Sequence, residues 1–87
     1  MPLNESQIIS IEASIKALMA TDNALMPGLR GLFPGVTFVR CSAREMDALP
    51  YRASEKYQLF LFDRSQGCIR LTDQLDLADG VIVAEVE

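Results

Sequence analysis

The feature that most constrains the fold of this sequence is the stretch KYQLFLFD in the third quarter of the chain. Its aromatic residues favour a β-strand, and it gives the strongest strand signal in the sequence. Side chains alternate between the two faces of a strand, so Tyr57, Leu59 and Leu61 point one way. Phe60 and Phe62 point the other way. Both faces of this strand are therefore apolar, and a sheet built on it has to be covered on both sides.

The remaining sequence predicts two helices ahead of this strand and three further strands. Asn4 and Gln7 form a capping-box pair, and apolar residues spaced three or four apart extend the first helix towards position 21. A shorter second helix is predicted over residues 24–35, where Pro34 and Gly35 end it. The predicted strands cover residues 36–41, 56–63, 68–72 and 81–86, and residues 73–80 are expected to form one helical turn.

This order of elements predicts an α+β fold, in which an N-terminal helix and a short second helix pack on a mostly antiparallel four-stranded sheet. The short turn between the second and third strands favours a hairpin, whose strands pair antiparallel. A chain of 87 residues suits a single domain, residues 1–87. Two helices cover only one face of such a sheet. The other face has three candidate covers, namely the loop at residues 42–55, a second copy of the chain, or a different partner.

The net charge of −4 argues against binding to nucleic acids or to acidic membrane surfaces, because both repel an acidic chain. Residues 2–7 lack the basic start of a secretory signal, and no long apolar segment follows, so we expect a cytoplasmic protein. The longest apolar runs are far too short to cross a bilayer. Hydrophobic residues make up 49% of the chain, which indicates a folded domain rather than a disordered one.

The absence of histidine removes the commonest general base and the commonest metal ligand. No serine or cysteine has a histidine to activate it, and no CxxC pair or phosphate-binding loop occurs. Asp73, Asp76 and Asp79 are spaced by three, but the other ligands of a calcium loop are missing, so they indicate a solvated turn. We therefore predict a protein that is not an enzyme and that has no catalytic residues, metal site or cofactor.

Cys41 and Cys68 are the only cysteines and the candidate redox thiols. Cys41 ends the first predicted strand beside Arg40 and near Arg44, and nearby cations lower the pKa of a thiol. This arrangement predicts a thiol-redox sensor as an alternative function. The structural alternative is a small apolar residue at the end of a strand.

Residues 40–57, RCSAREMDALPYRASEKY, form the most polar and most basic segment of the chain. Arg40, Arg44 and Arg52, together with Tyr51, could bind a carboxylate, a phosphate or an acidic protein surface. A small-ligand sensor built on this segment is thus part of the same alternative function. Interleaved acidic residues would instead pair with the arginines locally, as in an ordinary solvated loop.

The main functional hypothesis is a non-enzymatic accessory protein that binds another protein through its second sheet face and residues 40–57. The same surface would also suit a homodimer. The candidate partner- or ligand-binding residues are Arg40, Cys41, Arg44, Tyr51, Arg52, Tyr57, Leu59 and Leu61.

Three stretches of the chain, LFPGVTFVRCS, YQLFLFD with GCIRLT, and LADGVIVAEV, resemble a family of very short proteobacterial proteins of unknown function. Members of that family are often encoded near nitrogen-fixation genes. The resemblance spans residues 29–86 and consists of hydrophobic and turn patterns. It implies a cytoplasmic accessory protein without catalytic residues, whose partner belongs to the machinery that assembles or protects nitrogenase.

Overall fold

The structure, a computed structural model, describes residues 3–20, 25–64, 67 and 69–86. Two helices form, α1 at Glu5–Ala20 and α2 at Leu25–Leu32. The strands are β1 at Thr37–Ser42, β2 at Arg52–Ala53, β3 at Tyr57–Asp63, β4 at Arg70–Thr72 and β5 at Gly80–Glu85. Single 3-10 turns follow β1, at Ala43–Glu45, and precede β5, at Leu75–Leu77.

Helix α1 begins at the predicted capping box. The backbone N–H of Gln7 donates to Asn4 Oδ1 at 2.9 Å, and the backbone N–H of Asn4 donates to Gln7 Oε1 at 3.0 Å. The apolar stripe of this helix faces the sheet, because Ile8, Ile11 and Ile15 are completely buried. No helix in the described ranges is long and apolar enough to cross a membrane.

The sheet has the strand order β1-β5-β3, and β2 and β4 share the remaining edge of β3. β3 pairs antiparallel with β5 on one side and with β2 and β4 on the other. β1 and β5 run parallel, with Thr37 opposite Gly80 and Ser42 opposite Glu85. The two helices pack on one face of this sheet. The predicted α+β class is confirmed, with a mixed rather than purely antiparallel sheet.

The sheet differs from the prediction by one extra strand and one parallel pair. β2 is only two residues long, and its position depends on two backbone hydrogen bonds to β3, from Tyr51 N–H to the Leu59 carbonyl and from Ser54 N–H to the Tyr57 carbonyl. β5 takes a central position because its side chains are apolar on both faces. That position places it beside β1, which runs in the same direction.

Two separate apolar layers cover the faces of the sheet. On the helix side, Tyr57, Leu59 and Leu61 of β3 pack with the buried residues of α1 and α2. On the second side, Phe60, Phe62, Ile82 and Ala84 are buried, with Val39, Cys41, Ala43 and Met46 packed against them. Ala43 and Met46, from the first part of the loop at residues 42–55, therefore pack over the second face, as the first of the three candidate covers predicts.

Candidate functional site

The predicted cluster of arginines is divided between the two edges of the sheet. Arg40 on β1 pairs with Glu85, with Nη2 at 2.8 Å from Oε1. Arg52 on β2 lies at the opposite edge, where its Nη2 is 3.0 Å from both carboxylate oxygens of Glu5. Its Nε is also 3.5 Å from Glu12. Three strand spacings of about 4.8 Å lie between the strands of the two arginines. The two guanidinium groups therefore do not form one binding site for a small ligand.

Tyr51 and Arg52 attach the segment before β3 to the first helix. The Tyr51 hydroxyl donates to Glu5 Oε1 at 2.9 Å, and the Arg52 guanidinium carbon lies 5.0 Å from the centre of the Tyr51 ring. Arg44 lies in the 3-10 turn after β1, where its backbone N–H donates to Ser42 Oγ. Tyr51 and Arg52 hold their part of the segment against α1, whereas the bond of Arg44 is local, so the predicted recognition cluster is not assembled.

Cys41 is half-buried and packs against the second apolar layer. Burial raises the pKa of its thiol, and the negative charge of Glu45 adds to the rise. Arg40 does not lower this pKa as predicted, because adjacent strand residues point to opposite faces and its guanidinium pairs with Glu85. A thiol with a raised pKa is less nucleophilic at neutral pH, which weakens the redox-sensor hypothesis. The second candidate thiol, Cys68, lies outside the described residues.

Three of the candidate partner-binding residues are in the core. Tyr57, Leu59 and Leu61 are at most 1% exposed beneath the helices, so their predicted contact with a partner needs correction. The strand presents this face to α1 and α2, which already cover it. Within the described residues, no group of three or more acidic or cysteine side chains is placed to hold a metal ion.

Two short strands share the outer edge of β3, and the place where they part leaves a notch. Just before β2, the N–H of Tyr51 still donates to the Leu59 carbonyl. Pairing with β3 does not extend further back, because Pro50 has no N–H to donate. β4 pairs with β3 from Leu61 onward. The chain before β2 and the chain after β4 therefore diverge over Phe60 and Leu61.

The exposed surface of the notch is about half polar and half apolar, and it lies over the buried residues Phe60 and Leu61. It has a volume of about 570 Å³ and is lined by residues 48–51, Phe60, Leu61 and residues 71–73. On the walls, the side chain of Leu49 is 93% exposed and that of Leu71 is 44% exposed. Asp73 adds a carboxylate to the rim. Such a concave site is suited to an inserted apolar side chain.

Of the predicted site residues, Tyr51 and Leu61 line this notch. The sequence pattern predicts Leu49 and Pro50 as parts of a polar loop and Leu71 as a strand residue, so it does not single them out. The sequence signal for one wall of the notch, Leu49 and Pro50, is an apolar residue before a proline inside an otherwise polar segment. The second wall depends on the shared edge of β3, which no local pattern predicts.

Comparison with protein-family models, with curated proteins and with solved structures finds no match to this chain.

Proposed function

We propose that this chain is a non-enzymatic binding protein whose notch receives an apolar side chain of a partner polypeptide. The observation that carries the proposal is Leu49, a large apolar side chain that is 93% exposed at the wall of a concave site. Covering a leucine of this size stabilises a complex by about 1.5–3 kcal/mol. Phe60 and Leu61, which lie under the notch, are paired with Ile82 and Val81 of β5, so the backbone at its base is part of the sheet.

The charges around the notch favour a basic partner segment. Asp73 lines the notch, and Asp47 comes just before its first wall. Both side chains are exposed, and the whole chain carries a net charge of −4. Arg52, the nearest cation in sequence to the first wall, is bound to Glu5. A segment with an apolar anchor next to lysine or arginine would match this surface in both shape and charge.

The resemblance to short proteins encoded near nitrogen-fixation genes supplies a class of partner for this proposal. A component of the machinery that assembles or protects nitrogenase would be the first to test. The proposed site of action is the cytoplasm. Binding through the notch would use residues 48–51 of the predicted contact segment and none of its arginines.

The proposal is tested by replacing Leu49 with aspartate and measuring which proteins are retained from an extract of the native cells. Leu49→Asp places a charge on the wall, adds like charge to the rim, and leaves folding intact because the side chain is almost fully exposed. Ile9→Asp is the matched control, because Ile9 is 62% exposed on α1. We expect one basic protein to be retained by the wild type and by Ile9→Asp, and to be lost at least tenfold with Leu49→Asp.

Retention that is equal for the wild type and both variants would contradict the proposal, since the partner would then bind elsewhere. If the partner is lost with Ile9→Asp but retained with Leu49→Asp, the binding surface is on α1 and the proposal is wrong. A partner that is released by moderate salt from the wild type supports the charge argument, because exposed charges are screened by salt.

A further inference from the structure

Strand β1 leaves one edge of the sheet open. It stands at the end of the strand order and, among the described residues, pairs with β5 alone. Its six residues, TFVRCS, keep one unbroken register with β5 and contain neither a proline nor a bulge. Natural sheets usually shorten or kink such an edge, because its outward N–H and C=O groups can pair with another strand. The strands at the other edge, β2 and β4, are only two and three residues long.

The register of the sheet identifies the backbone groups that face this open edge. Just after β5, the Val86 N–H donates to the Lys56 carbonyl on the β3 side, so by alternation the backbone of Val83 faces β1. In a parallel pair, Val83 bonds to the β1 residues on either side of its register partner, Arg40. The N–H and C=O groups of Arg40, and of Phe38 two residues earlier, therefore point away from β5.

Helix α2 places a cation at the same edge. Arg30 Nη2 donates to the Phe38 carbonyl at 3.4 Å, which agrees with the outward direction of that carbonyl. This bond is long, so a backbone N–H at the usual distance of about 2.9 Å would replace it. Within the described ranges, no salt bridge joins Arg30 to a carboxylate. Arg40 lies on the same face of β1 as Phe38, and its side chain stays 55% exposed although it pairs with Glu85.

These charges favour an acidic partner over a second copy of the chain. If two β1 strands paired, registers with most of the strand overlapped would bring the two Arg40 side chains opposite or next to each other, and like charges there are destabilising. An acidic segment is attracted by the same groups. The other face of β1 presents the half-buried side chains of Val39 and Cys41. A matching segment therefore alternates acidic residues on the helix side with apolar residues on the second side.

We propose that the open edge of β1 binds an extended acidic segment of a partner protein as an additional strand. The backbone of the segment pairs with Phe38 and Arg40, its carboxylates lie beside Arg30, and its apolar side chains pack beside Val39 and Cys41. The notch is at the opposite edge of the sheet. This surface is therefore separate from the notch and does not depend on the proposed function.

The probe for this proposal is the capped hexapeptide TEVEVT, in which glutamate and valine alternate. Titration of the ¹⁵N-labelled protein with this peptide should give saturable shifts at residues 37–42 and at Arg30. The peptide TKVKVT, which has the same valines and the opposite charge, should bind about tenfold more weakly. TEVEVT with methyl groups on its backbone nitrogens should lose binding by about tenfold or more, because it has no N–H groups to donate to the edge.

Arg30→Gln should weaken the binding of TEVEVT by about fivefold, the upper limit for an exposed ion pair. Arg70→Gln is the matched control, because it removes the same charge from β4 at the opposite edge, and it should bind the peptide like the wild type. Leu49→Asp should also leave this binding unchanged, so failure of the open edge is distinguishable from failure of the notch.

Equal binding of TEVEVT and its methylated form, equal binding of TEVEVT and TKVKVT, or no saturable shift would each overturn the proposal. Shifts confined to residues 48–51 and 71–73 would overturn it as well, because the peptide would then occupy the notch. A wild-type protein that dimerises through residues 37–42 would also contradict it, since a second copy would then cover the edge.

Discussion

Gly80 has no room for a side chain. A Cβ atom built there would overlap the ring of Phe62 and the backbone carbonyl oxygen of Thr37. Thr37 is the register partner of Gly80 across the parallel pair, and Phe62 is its partner on β3. The glycine therefore lets β5 enter the sheet between β1 and β3 at close approach.

Gly80→Ala should lower the free energy of unfolding by about 2 kcal/mol or more, because the carbonyl of Thr37 cannot move aside without distorting the sheet. Gly31→Ala is the control, since nothing lies within 4 Å of the position of its Cβ and alanine favours the helix by up to about 1 kcal/mol. Urea denaturation followed by circular dichroism measures both. Equal stability of the two variants would show that β5 is not packed as closely as described.

The chain has two tyrosines, Tyr51 and Tyr57, and no tryptophan, so the ionisation of the tyrosines is easy to follow by absorbance. Burial raises the pKa of Tyr57, and burial together with the hydrogen bond to Glu5 raises that of Tyr51. In the unfolded chain both ionise near pH 10. Ionisation therefore favours the unfolded state, so their contribution to stability is complete below about pH 10 and is lost as the pH rises further.

We expect the free energy of unfolding to fall from about pH 10 upward, and to fall less steeply in Tyr57→Phe than in the wild type. At neutral pH the same variant should be at least as stable as the wild type, because it removes a buried hydroxyl that has no partner in the described residues. Denaturation at a series of pH values measures this. A variant that loses stability at neutral pH would reveal a partner for the hydroxyl.

Among the structural elements, the sequence predicted those features that depend on interactions between residues close in the chain, namely the start of α1 and the two faces of β3. The pair Asn4 and Gln7 fixes the start of α1 within a single turn, and both of its hydrogen bonds form as expected. The alternation of side chains in β3 correctly separated Tyr57, Leu59 and Leu61 from the phenylalanines. Which of these two faces lies under the helices depends on how the helices return over the sheet, so the sequence pattern did not decide it.

The candidate site was harder to predict because it arises from pairing between distant segments. Residues 48–51 and 71–73 become neighbours only because β2 and β4 share one edge of β3. β2 has only two residues, too few to show the alternating pattern of a strand. Nothing in the sequence around Arg52 indicates that it pairs with Glu5 of α1 and not with a ligand. The arginines that are close together in the sequence therefore do not come together as one binding site, since Arg40 and Arg52 pair with different carboxylates.

The attachment of β2 to α1 should contribute modestly to stability. A double-mutant cycle with Arg52→Gln and Glu5→Gln should give a coupling energy of about 0.5–1 kcal/mol, the upper part of the range for exposed ion pairs, because the guanidinium contacts both carboxylate oxygens. The coupling should decrease at high salt. A coupling near zero at low salt would mean that this pair does not hold the segment in place.

At the scale of the whole molecule, the fold covers both apolar faces of β3 without a second chain. Helices α1 and α2 cover one face, and the turn after β1 with Met46 covers the other. Among the large apolar side chains that stay exposed, Leu49 and Leu71 lie together at the notch on the edge of the sheet. The binding surface that we propose is therefore an edge of the sheet, formed by residues 48–51 and 71–73, and not a sheet face.

The most direct test of this account is site-specific photo-crosslinking in the native cells. A benzoylphenylalanine at Leu49 should give one discrete adduct with a heavier, basic protein, and the same group at Ile9 should give none, although both positions are exposed. An adduct of twice the chain's own mass would show a homodimer and contradict the basic partner. Absence of any adduct at Leu49, or an equal adduct at Ile9, would contradict binding through the notch.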